Sequence, residues 1–205
     1  MSYWMNGWRL TGLLTALLSL MVLGIVAADG FSVDAIRTAI RATARTSLLL
    51  FLPTFIASAL VALWPGSKTR WLLRNRRYIG VGFAASHGLH AIVIIAFAIR
   101  DPALFSSMTS IGTLVSGGSA YLFILLMAAT SFDRAVAWLG ARNWRILHWC
   151  GAWYIALSFI ITNAKRTPDM PLYWLPVVLV LLAIALRIAG WWRRRGKLRA
   201  ASVPA

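Results

Sequence analysis

Predominantly apolar runs long enough to cross a bilayer occur six times along the chain, at about residues 10–28, 47–64, 78–99, 111–132, 146–164 and 170–187, and arginine-rich segments separate them. A helix needs about 20 apolar residues to cross roughly 30 Å of hydrocarbon, and each run meets or approaches that length. The pattern predicts an all-α, polytopic membrane protein: a six-transmembrane-helix bundle forming a single domain over residues 1–205, with short loops. No internal repeat interrupts it.

Composition agrees, with 60% hydrophobic and 13% charged residues, and it leaves no stretch for a soluble domain of useful size. The formal net charge of +16 does not read as a nucleic-acid surface, because the charges lie in the short segments between hydrophobic runs. Fifteen basic residues fall on one side of the bilayer, at Arg9, at Lys68, Arg70, Arg74, Arg76 and Arg77, at Arg134, Arg142 and Arg145, and from Arg187 to Arg199. Six fall on the other, namely Arg37, Arg41, Arg45, Arg100, Lys165 and Arg166. The positive-inside rule then places both termini in the cytoplasm of a bacterial-type inner membrane. The closing stretch GWWRRRGKLR sets tryptophans at headgroup level with arginines beyond, where they meet anionic lipid. Small residues in IVAADG resemble a peptidase site, but a single arginine precedes that run and cleavage would upset the charge asymmetry, so it reads as a retained span. Cys150, the one cysteine, excludes an internal disulfide and reads as a packed thiol.

Local spacing adds three expectations. Arg37, Arg41 and Arg45 recur every four residues, which fits a short amphipathic helix lying in the interface or an ordinary solvated connector. Gly117, Gly118, Ser119 and Ala120 would let a neighbouring helix, or a flat ligand, approach the fourth span closely. Pro171 and Pro176 predict a turn and then a kink at the start of the sixth.

Chemistry concentrates in three histidines. His87 and His90 sit on the third span, about 60° apart around a helix axis, and His148 lies near the start of the fifth. Ionisable side chains within a membrane usually face the protein interior and mark a cofactor, ion or proton site. A neutral imidazole is tolerable there when one nitrogen binds a metal and the other donates to an oxygen. Histidines without a buried Asp or Glu suit haem iron better than zinc. The plainer alternative is that His87 and His90 hydrogen-bond between helices and that His148 is interfacial.

The stretch RRYIG followed by LH at His90, and WRILH ending at His148, resemble the ferric reductase-like transmembrane domain superfamily, and within it the haem-binding membrane subunits of bacterial methionine sulfoxide reductase systems. The resemblance implies haem b held by histidines of spans three and five, with His90 and His148 as iron ligands and His87 as a further cofactor-binding candidate. It also implies single electrons received from quinol or a cytoplasmic flavin supplied by a partner, and passed to a redox partner protein on the outer side. Arg76 and Arg77 would then meet haem propionates or an acidic partner, or serve as a cytoplasmic anchor. One element of the family pattern is missing: a second histidine on the fifth span is expected at position 161, where this chain has Ile161. Depth also separates the remaining pair. Counted at about 1.5 Å per residue from the flanking charges, His90 and His148 differ by about 12 to 15 Å, and His87 reduces this only to about 8 Å. The alternative function is therefore a haem-free relative serving as a structural membrane subunit, permease or assembly factor. No G-x-G-x-x-G, P-loop, G-x-S-x-G or H-E-x-x-H sequence supports a self-contained enzyme, so the chain is at most the membrane subunit of an oxidoreductase.

Overall fold

The computed structural model describes residues 5–168 and 170–201, with side chains through residue 196, so Lys197 and Arg199 lie outside the described side chains. Eight α-helices account for almost all of the described residues: α1 (Gly7–Ala28), α2 (Val33–Leu63), α3 (Ser67–Arg100), α4 (Pro102–Met108), α5 (Ile111–Ala129), α6 (Asp133–Leu139), α7 (Ala141–Ala164) and α8 (Trp174–Ala201). Six are long and apolar enough to cross a membrane, and α4 and α6 are short connectors at opposite ends. The chain is thus an integral membrane bundle of the expected class. Its lipid-facing shell is apolar, with Leu17, Leu20, Leu23, Ile92, Ile95, Leu125, Leu181 and Leu182 all exposed.

Helix starts explain where the expected boundaries moved. Ser32 caps α2 by accepting from the Ala35 amide at 3.1 Å, and Asp34 lies in the first turn, favourable at the positive end of the helix dipole. From there nothing breaks the helix, so the segment bearing Arg37, Arg41 and Arg45 is neither a separate interfacial helix nor a connector. It is the first part of α2, about 21 Å of it before Ser47. Arg45 lies between Thr43 and Ser47, which contact His90 and Ser86 of α3, so it sits well inside the end of α3 at Arg100. Similarly, α3 begins at Ser67 rather than near residue 78, and α8 runs past residue 187. Pro171 opens a single 3-10 turn and Pro176 falls in the first turn of α8, where no helical N–H is required, so both mark the helix start and neither makes a kink.

The core lies where α2, α3, α7 and α8 converge, on Phe51, Phe55, Phe83, Ile155, Val180 and Ala183. Three α8 arginines hold α2 by its carbonyls: Arg187 donates to Phe55 O at 2.8 Å, Arg194 to Ser58 O at 2.9 Å and Arg193 to Leu63 O at 2.9 Å. Of the three acceptors only Leu63 O lies in the last turn of α2, where carbonyls lack helical partners and cations suit the negative end of the dipole; Phe55 O and Ser58 O lie further inside the helix. Arg187, placed by sequence among the loop charges, stacks over the Phe55 ring at 4.4 Å instead.

Close helix approach occurs at glycines other than those expected. A Cβ on Gly117 or Gly118 would meet nothing within 4 Å, whereas one on Gly190 would lie 2.7 Å from the Ala59 backbone. The contact of α8 with α2 therefore requires glycine at 190. Gly190→Leu should destabilise the bundle by about 1–3 kcal/mol through overpacking, while Gly118→Ala should leave it nearly unchanged. Thermal unfolding of both variants in detergent, followed by tryptophan fluorescence, measures the difference, and equal melting would contradict the assignment.

Candidate functional site: a cavity at the basic end and a histidine beyond it

At the end of the bundle where α1 starts, α2, α3, α5 and α7 line a half-open cavity of about 510 Å³. Its walls are apolar, formed by Phe51, Phe55, Phe83, Ile124, Met127 and Ile155. His148 projects into it from α7, and Arg74, Arg76 and Arg77 of α3 line it. Helical periodicity accounts for the placement, because His148, Ala152, Ile155 and Phe159 form one stripe of α7 facing the core.

Each polar group at this cavity differs in how it is held. The His148 ring stacks on Trp144, with centroids 4.2 Å apart, and its Nε2 lies 3.2 Å from Thr130 Oγ1. Trp144 in turn donates its indole N–H to Thr130 O at 2.9 Å, so the end of α5 and the start of α7 fix the imidazole together. Arg77 is paired with Asp133 of α6, and that guanidinium holds the Asp133 carboxyl below the usual carboxylate range. Arg76, half-buried beside it, has no hydrogen bond or ion pair among the described residues. A cation left without a counter-charge on a cavity wall favours an anionic group there.

Further along the bundle the interior is filled by rings. His87 lies 4.8 Å from Phe83, 5.6 Å from Tyr121 and 6.1 Å from Phe159, measured between centroids. Its Nδ1 and the Tyr121 hydroxyl are both buried with no hydrogen-bond partner among the described residues. His90, one turn beyond, contacts Thr43 Oγ1 through Nδ1 at 2.9 Å.

These contacts give the relative depths of the three histidines. His87 is level with Phe159, which follows His148 by eleven residues on α7, about 16 Å along the axis. His90 is three residues further out on α3, making its separation from His148 about 21 Å. Two axial nitrogens on one metal lie about 4 Å apart, twice a metal–nitrogen bond of about 2 Å. The structure thus brings His87 and His90 together but brings neither to His148, and it places only His148 in the cavity. On α7 the residue facing His87 is Phe159, and Ile161, two residues on and so turned away from the core, is 46% exposed. Among the described residues no three His, Cys, Asp or Glu side chains cluster as a metal site.

The donor set fits haem in part. At the cavity, one imidazole, apolar walls and an unpaired arginine match an iron, a macrocycle and a carboxylate. At His90, one nitrogen is already tied to an oxygen, as is usual for a ligating histidine. Neither level supplies a second imidazole from a facing helix, since His87 shares α3 with His90. Thr43, Thr130, Tyr121 and Phe159 carry no signal in sequence that would have singled them out, whereas Trp144 opens the WRILH stretch; each of the four matters through what another helix places against it.

Comparison with known proteins agrees with this reading of the chain. Residues 38–159 match the family described as ferric reductase like transmembrane component. Among curated proteins, the chain is similar to the protein-methionine-sulfoxide reductase heme-binding subunit MsrQ of Cronobacter sakazakii, 28% identical with 88% of this chain and 92% of that protein covered. It is likewise similar to those of Bordetella parapertussis, at 30% identity with 83% of each covered, and Salmonella arizonae, at 29% with 80% and 83% covered. No solved structure matches it. With six membrane helices, a histidine-bearing cavity between the third and the fifth of them, and a family match over more than half its length, this chain belongs to the ferric reductase-like transmembrane family.

Proposed function

We propose that this chain is the haem-binding membrane subunit of an oxidoreductase, carrying electrons between a donor at its basic end and an acceptor at the opposite end. The carrying observation is the cavity that combines His148, an unpaired Arg76 and apolar walls of a size suited to a large flat ligand. The relatives' names, which describe heme-binding subunits of a reductase, support the same cofactor. A bound haem supplies a one-electron redox couple. His148 would serve as its ligand in the cavity, Arg76 would receive a carboxylate of the macrocycle, and the phenylalanines would exclude water. His90 serves a second, outer station, and His87 with its surrounding rings separates the two. The haem is of the b type, since a lone cysteine provides no C-x-x-C-H attachment site. The positive-inside rule makes the basic end cytoplasmic, so the donor is a flavin carried by a partner, or quinol within the bilayer.

A haem-free membrane subunit is the second reading. It is favoured by Phe159, which occupies the place on α7 that faces His87, and by Ile161, where the resemblance calls for a histidine and the side chain is turned away from the core.

Two outcomes follow for protein purified in mild detergent from cells supplied with a haem precursor. Haem content should fall severely in His148→Ala, and roughly ten-fold or more in affinity in Arg76→Ala, with His87→Ala close to wild type. A colourless, monodisperse wild-type protein would instead establish the haem-free reading. Because each station offers one imidazole, the ferric spectrum should be high-spin and the reduced protein should bind carbon monoxide; a low-spin, bis-imidazole spectrum would contradict the single-histidine assignment.

A further inference from the structure

His90 is held in a way that decides which of its two nitrogens is available. Thr43 of α2 is fully buried, and its hydroxyl lies 2.7 Å from Ala39 O and 3.0 Å from Ile40 O, donating back to the preceding turn of its own helix. A hydroxyl has one proton. With that proton directed to the α2 carbonyls, the 2.9 Å contact to His90 Nδ1 has the imidazole donating and Thr43 Oγ1 accepting. A neutral imidazole carries one N–H and one lone pair, so an Nδ1–H leaves the lone pair on Nε2.

We propose that Thr43 is a positioning residue that fixes His90 as the Nδ1–H tautomer and thereby presents Nε2 as the nitrogen that binds iron at the outer station. The part concerning iron rests on the haem reading above; the part concerning the tautomer does not. The support for Thr43 is itself rigid. Ser86 of α3, also fully buried, donates to Thr43 O at 3.5 Å and accepts from Ser47 Oγ at 2.8 Å. Thr46 Oγ1 lies 3.4 Å from the same Ser86 oxygen. These hydroxyls pin α2 to α3 within one turn of the histidine, so the acceptor cannot drift from the ring without breaking a buried network. An oxygen accepting from the non-ligating nitrogen orients a ligating imidazole and raises its basicity, and removing such a partner typically costs about 10–100-fold in metal affinity.

The test begins without haem. Apo protein labelled with ¹⁵N-histidine, in a His87→Ala background to simplify assignment, should show His90 with a protonated Nδ1 and an unprotonated Nε2. Thr43→Ser should keep that pattern, and Thr43→Val, which preserves shape and removes the acceptor, should yield mixed tautomers. In haem-loaded protein, Thr43→Val should weaken retention at the outer station about 10–100-fold and raise its midpoint potential, with Thr43→Ser restoring both. An apo spectrum showing Nε2–H at His90 would overturn the proposal whatever the haem content. The expected tautomer together with affinity and potential unmoved by Thr43→Val would overturn the positioning role alone, and the first reading of the cavity around His148 would stand.

Discussion

Buried hydroxyls between α2 and α3 set the register on which the rest of the bundle depends. Thr43, Ser47 and Ser86 are without exposure, and in hydrocarbon each must be satisfied by a protein group. Sliding α2 along α3 by one turn would part Ser47 from Ser86 and Thr43 from His90 together, leaving several polar atoms unpaired at once. Apolar packing alone would not resist such a slip, because lipid tails are as apolar as the side chains they would meet. With that register fixed, Phe51 falls level with Phe83 and Phe159, and Phe55 reaches Trp153 and Arg187. The aromatic core and the position of α8 then follow.

The same register distributes the histidines along the axis. His148 faces the basic end because α7 starts at Ala141, only two turns before it, whereas His87 and His90 lie more than five turns into α3. Their helices run in the same direction, so the difference in starting level becomes a difference in depth. Arg76 and Arg77 show how one residue of offset changes a role: both line the cavity, but Arg77 is paired with Asp133 and Arg76 is left with its charge unanswered.

Much of the fold was legible in the sequence because the cost of a charge in hydrocarbon writes the spans directly as uncharged runs. Family membership was legible in the two short stretches around Arg76 and His148. What stayed hidden depended on pairing between distant segments. A four-residue arginine spacing is identical in a surface helix and in an extended first part of α2, so Arg37, Arg41 and Arg45 could not tell the two apart. Small residues at 117 and 118 look suited to close contact, yet the contact falls at Gly190, because Ala59 and not any neighbour of α5 is what approaches. The separation of His90 from His148 was readable in direction from helical rise, and the structure enlarges it by seating His87 opposite Phe159. Thr43 was invisible, since nothing near residue 43 in the chain announces an imidazole forty-seven positions later.

Phe83, His87, Tyr121 and Phe159 close the middle of the bundle with ring against ring. Within that cluster His87 Nδ1 and the Tyr121 hydroxyl are the polar groups left without partners among the described residues, and the rest of the cluster is apolar. An electron crossing that level would separate charge between the two ends of the bundle. Each such crossing would work against, or draw upon, the membrane voltage.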